Sequence, residues 1–163
     1  RPHPAERRNE GGQGDAFVGL AFGAVRAVVD VDVELGSIRV VEVAVAQDVG
    51  RVLNPRQLRA QIEAGVTQGV GAALTEHLRV ARGVVRRPDL TDYALPTALD
   101  APEVRVVSLL EERDVVAPFG AKSGVSAVPV VVTPAAVAAA VRAATGREVN
   151  RLPVRPQLAV STS

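Results

Sequence analysis

The residues of this chain best suited to chemistry lie in two glycine-bearing stretches. In the first, QIEAGVTQGVGAAL, the residues Gln61, Gly65, Gln68 and Ala72 recur at i, i+4, i+7 and i+11. On a helix this spacing places two carboxamides in one strip with almost no side-chain bulk between them. A flat ligand or another backbone can approach such a strip closely. Gly65, Gly69 and Gly71 each cost a helix roughly 1 kcal/mol relative to alanine, so a packing or a binding reason must hold them there. On spacing alone, close packing is the stronger of the two. The second stretch, VVAPFGAKSGVS, carries the chain's only lysine, Lys122. GAKSG departs from a phosphate loop, because Ala121 precedes the lysine and the earlier glycine is missing. Gly124-Val125-Ser126-Ala127-Val128 departs from a nucleophile elbow at its fifth position, and no histidine base lies nearby in sequence. Neither NTPase nor hydrolase chemistry finds its residues here.

Other site types are excluded by composition. Asp30 and Asp32 share one strand face, but simple alternation accounts for them; His3 and His77 are far apart. No metal site is expected. With no Cys, the chain can hold no disulfide, thiolate zinc site or iron–sulfur cluster. A net charge of +1 and four aromatics (Phe17, Phe22, Tyr93, Phe119) give neither the field nor the stacking platforms that nucleic acid needs. There is no uninterrupted apolar run of about 18 residues and no charged-then-apolar start, so no membrane partner and a cytoplasmic location are expected. The chain has no Met, which fits a processed chain or part of a longer one.

Around these stretches the elements can be read in order. Residues 1–15 are polar, without periodicity, and predict a disordered arm or linker. From Gly23 to Val45 the pattern has period two: Ala27, Val29, Val31 and Val33 alternate with Arg26, Asp30, Asp32 and Glu34, and Leu35-Gly36-Ser37 makes the turn of a β-hairpin. Asn54 as N-cap and Pro55 at the first position open a helix with an apolar stripe of Leu58, Ile62, Val66, Val70 and Ala73. His77 to Arg87 predicts a short hairpin about Arg82-Gly83, Pro88 to Asp100 a loop, and Pro102 to Leu110 a strand. A second helix is predicted over Thr133–Gly146, capped by Thr133, started by Pro134 and ended by Gly146. Arg147 to Ser163 is expected to wander over the surface, with 16–158 as the domain and 159–163 as a tail. The fold class is α+β: β-hairpins packed with two main helices.

Five blocks in this order, DVGRVLNP, QIEAGVTQGVGAALTE, DYALPTALDAP, PFGAKSGVS and TPAAVAAAVRAATG, resemble the C-terminal part of the molybdopterin-binding large subunit of the xanthine dehydrogenase and aldehyde oxidase family. The resemblance runs from about Gly19 to Pro156. It implies a partial molybdopterin-binding domain of a molybdenum hydroxylase. The cofactor would be molybdenum–molybdopterin, including its cytosine dinucleotide form. Iron–sulfur clusters and FAD would sit in partner subunits, the remaining large subunit would complete the pocket, and the substrate would be a purine, an aldehyde or a heterocycle.

Residue by residue, the family's Gln-x-Glu-Gly-Gly and Gln-Gly-x-Gly fall on Gln61, Glu63, Ala64 and Gly65, then Gln68, Gly69 and Gly71. The resemblance gives Gln61 a hydrogen bond to the pterin and Gln68 a supporting role. The family's Gly-Ala-Lys-Gly-Val-Gly-Glu loop wraps the metal centre and carries the general-base glutamate. Here Gly120, Ala121 and Lys122 match, Ser123, Gly124 and Val125 follow, and Ser126 stands where the glutamate belongs. A shift of one residue brings in no acid, and a serine hydroxyl has no useful basicity at neutral pH. The resemblance therefore implies cofactor binding by Gln61, Gly65, Gln68, Gly69, Lys122, Ser123, Gly124 and Val125, and a catalytic position at Ser126 without its base. The rival expectation is a non-catalytic cofactor-binding or assembly module, or a degenerate remnant of the enzyme.

Overall fold

The computed structural model describes residues 11, 20–86, 89–90, 93–115 and 117–155. Nearly all of the predicted arm at 1–15, and the tail at 159–163, lie outside the described residues.

Alternation builds the first layer. β1 (Gly23–Asp32) and β2 (Ser37–Asp48) pair antiparallel, Asp32 opposite Ser37, with an irregularity at Val28/Val29. Ala27, Val29 and Val31 turn inward as partly buried residues, whereas Arg26, Asp30 and Asp32 are exposed. Val33 lies in the turn and is 41% exposed. The Asp32 carboxylate accepts the backbone N–H groups of Glu34 and Leu35, both at 2.9 Å, so this aspartate builds the turn. Asp30 faces Arg39 at 3.9 Å. Among the described residues no cluster of three potential metal ligands exists.

α1 (Pro55–Leu74) starts as its cap dictates: Asn54 Oδ1 accepts the Gln57 N–H at 3.1 Å. Its stripe of Ile62, Val66, Val70 and Ala73 is buried, and Leu58 packs at the margin. β3 (Arg79–Ala81) and β4 (Val84–Arg86) form the short hairpin, with Arg82 at φ 53° and Gly83 at φ 75° supplying the left-handed pair that a tight turn requires. β5 (Glu103–Leu110) pairs parallel to β2, which makes β2 the central strand of the order β1-β2-β5. On the outer face Glu42 bridges the sheet: Arg26 lies 2.8 Å and Arg105 3.2 Å from its carboxylate. The Arg105 hydrogen bond, with help from Arg26, holds the Glu42 carboxyl below its ordinary pKa.

α2 runs from Ala127 to Thr145, so it starts six residues before the expected Thr133. Thr133 and Pro134 are buried inside it rather than at its start. The helix tolerates Pro129 because the first-turn N–H groups have no intrahelical acceptor anyway. Gly146 ends it as predicted, at φ 70°, donating its N–H to the Arg142 carbonyl at 2.8 Å. By length and composition α2 is apolar enough to cross a membrane; here it packs along α1 and β1. The core is mostly valine: Val40, Val43, Val45 and Val49 meet Ile62, Val66 and Val70 from α1 and Val137 and Val141 from α2. The segment after α2 runs mostly exposed, as expected, but is pinned at Val154, which is buried and donates to the Ala73 carbonyl at 2.7 Å.

Thr133 carries a buried hydroxyl with no hydrogen-bond partner among the described residues. Thr133→Val keeps the shape and removes the orphaned group. It is expected to raise stability by about 1 kcal/mol, read from the urea midpoint at unchanged m-value. A loss of stability would show that the hydroxyl is satisfied.

Candidate functional site

The second glycine stretch is anchored to the end of β2. The Arg51 N–H donates to the Gly120 carbonyl at 2.7 Å and the Lys122 N–H to the Val49 carbonyl at 3.1 Å, with Gly50 bridged to Ala121. Gly50 sits at φ 62°, and a Cβ there would come within 2.7 Å of the Gly120 oxygen, so only glycine lets the two backbones meet. Phe119 and Gly120, both with positive φ, turn the chain into this contact.

Side chains lock the same junction. The Lys122 ammonium forms a close ion pair with Asp48, donates to the Leu20 carbonyl at 2.9 Å and lies 5.6 Å from the Phe22 ring centre. Both partners are largely buried, at 16% and 9% side-chain exposure. Next along β2, the buried Gln47 donates from Nε2 to the Val125 carbonyl at 2.8 Å, while its Oε1 has no partner among the described residues. Lys122 is thus committed to holding the loop, and Val125 is part of the core.

The first glycine stretch meets the same loop from the other side. A Cβ on Gly65 would collide with the Ser126 carbonyl oxygen, and one on Gly69 would lie 2.7 Å from Thr133 Cβ and 3.2 Å from the Pro129 oxygen. Gly65 and Gly69 are therefore the seat on which the start of α2 rests, which is the packing reason expected from their spacing. Gln61 and Gln68, on the same strip, remain exposed, and their carboxamides make no hydrogen bond among the described residues. Glu63 is directed elsewhere and pairs with Arg59 at 2.8 Å.

Ser126 is half-buried at the α2 N-cap, and its hydroxyl caps nothing. The backbone N–H groups of Ser123, Gly124, Val125 and Ser126 donate to no partner among the described residues. Four uncommitted amides and two carboxamides are a donor set suited to an anionic, acceptor-rich organic group. Of the predicted residues, the structure joins Gly65 and Gly69 to Ser126 and α2. It leaves Gln61 and Gln68 open beside them, and it turns Lys122 away toward Asp48. Sequence reasoning missed Gln47 and Asp48, whose only signal was their place just before Gly50.

A family model described as the molybdopterin cofactor-binding domain matches residues 3–102. The chain belongs to the molybdopterin cofactor-binding domain family. It is 33% identical over 139 residues to the xanthine dehydrogenase molybdenum-binding subunit of Escherichia coli O157:H7, covering 84% of this chain and 18% of that protein. It is 35% identical over 121 residues to the aldehyde oxidoreductase molybdenum-binding subunit of Escherichia coli strain K12, covering 73% and 16%. Among solved structures, the aldehyde oxidoreductase from Desulfovibrio desulfuricans superposes with a TM-score of 0.86 at 28% identity, over 97% of this chain and 17% of that one. Quinoline 2-oxidoreductase from Pseudomonas putida 86 gives 0.75 at 30% identity, over 84% and 18%. This molybdopterin cofactor-binding chain thus spans about a fifth of the length of the relatives it matches. The matched stretch 3–102 contains α1 and ends before the loop at 120–126.

Proposed function

We propose that this chain forms one wall of the molybdopterin pocket in a molybdenum hydroxylase of the xanthine dehydrogenase and aldehyde oxidoreductase class. The observation that carries the reading is the seating of the Ser126 carbonyl over Gly65. It fixes the end of an amide-rich loop against the helix that bears Gln61 and Gln68. In this reading Gln61 would bond the pterin, Gln68 would support it, and the free N–H groups of Ser123 to Ser126 would donate to acceptor atoms of the cofactor. Lys122 and Gln47 act one step back, holding the loop's shape. When bound, the cofactor supplies the two-electron oxidation that hydroxylates a purine, aldehyde or heterocycle carbon. The remainder of the large subunit would close the pocket, with iron–sulfur and FAD subunits carrying electrons away, and the cytosine dinucleotide form of the cofactor belongs to the same proposal.

A second reading, a module that binds cofactor without turnover, is favoured by one observation. From Val115 to Val149 the only acid is Glu148, which lies beyond α2 and pairs with Arg142 at 3.1 Å. No carboxylate of this segment faces the loop as a base.

The binding part of the proposal is tested with Gln61→Ala in the complex assembled with the complementary large-subunit segment. Leaving a buried cofactor group unpaired costs roughly 1–3 kcal/mol, so molybdenum and pterin retention should fall while circular dichroism is unchanged. Equal retention in the variant would make Gln61 an ordinary surface residue.

A further inference from the structure

The C-terminal end of α1 opens on a second concavity, of about 230 Å³, lined by Arg79, Arg86 and Arg155 with His77, Thr75 and Tyr93 among its other walls. Gln61 lies fourteen residues earlier on the chain, roughly 20 Å away at helical rise, so this concavity is separate from the loop site. Among the described residues, no Asp or Glu lines it. None of the three guanidinium groups has a hydrogen bond or ion pair among the described residues. The Glu76 carboxylate beside it is occupied in accepting the Tyr93 hydroxyl at 2.7 Å.

The hairpin makes this arrangement costly when empty. Arg79 and Arg86 stand directly opposite each other in the β3–β4 pair, whose strands have three residues each. Like charges directly opposite destabilise a strand pair, and a two-stranded hairpin is marginal by itself. Arg155 adds a third cation to the same hollow from the segment after α2. An anion seated between them reverses the sign of that repulsion. Three guanidinium forks call for a group with more than one charge and several acceptor oxygens, which a phosphate has and a single carboxylate lacks.

We propose that this concavity is a binding site for a phosphate- or diphosphate-bearing small molecule, held by Arg79, Arg86 and Arg155. The site does not depend on the cofactor reading above. The test is titration of the full 163-residue chain with sodium pyrophosphate at constant ionic strength, followed by backbone amide NMR. The expected result is saturable shifts confined to residues 75–79, Arg86 and 154–155. Arg79→Gln should weaken binding at least about tenfold. Arg155→Gln, which lies outside the hairpin and leaves its pairing intact, should do the same. Shifts that fail to saturate, that chloride reproduces, or that survive both substitutions would overturn the site. Saturation by polyglutamate but not by pyrophosphate would also overturn it, and would mark an acidic protein surface as the occupant.

Discussion

Lys122→Met is expected to destabilise the fold by about 3–5 kcal/mol, because it leaves Asp48 as a buried charge without its partner. Methionine keeps most of the aliphatic stem, so lost packing adds little. The ammonium also donates to the Leu20 carbonyl and lies near Phe22, so the segment leading into β1 should loosen together with the loop. Among the described residues, the Asp48 carboxylate retains a long 3.3 Å contact from the Gly50 N–H, too weak to replace a cation. Thermal unfolding read by circular dichroism should fall by on the order of 10 °C. The double variant Lys122→Met with Asp48→Asn removes both charges and should recover much of the loss. A single-variant cost below about 1 kcal/mol, with no recovery in the double variant, would mean that solvent reaches the pair and screens it.

Ser126→Glu is expected to raise substrate hydroxylation in the assembled complex by about 10²- to 10⁴-fold, the usual worth of a general base. The position tolerates the change: a carboxylate there faces the positive end of α2, and the serine it replaces makes no capping bond. The variant should therefore fold at least as well as the original, so altered activity reports chemistry. The comparison is made on purine and aldehyde substrates with cofactor content measured in parallel. Robust turnover in the original chain, unchanged by Ser126→Ala, would place the base elsewhere and end the lost-base idea.

What was legible in the sequence was local. Asn54 and Pro55, Arg82 and Gly83, and Gly146 each carry their instruction within a few residues, and the structure obeys all of them. The start of α2 was misread because Thr133-Pro134 imitates a cap followed by a first helical residue. The real signal was Pro129, a proline that fits the first turn. The pairings that shape the site were not legible, because they are distant. Nothing near Lys122 in the chain points to Asp48, 74 residues away, and nothing near Gln47 points to the Val125 carbonyl, 78 away. The resemblance identified the loop and the helix but assigned Lys122 to the cofactor. In the structure its ammonium pairs with Asp48 and fastens the loop.

The seat that Gly65 and Gly69 offer to α2 has a consequence for synthesis. The two halves of that contact are separated by about 60 residues, and β5, the parallel neighbour of β2, also comes after α1. At roughly 5–20 residues per second, translation leaves α1 waiting some 3–12 s for its partner. Through that interval its valine stripe and bare glycine groove face solvent or a holding chaperone. A pause in translation between Leu74 and Ser126 would lengthen the interval and raise the yield of aggregated chain, without changing a single contact in the finished molecule.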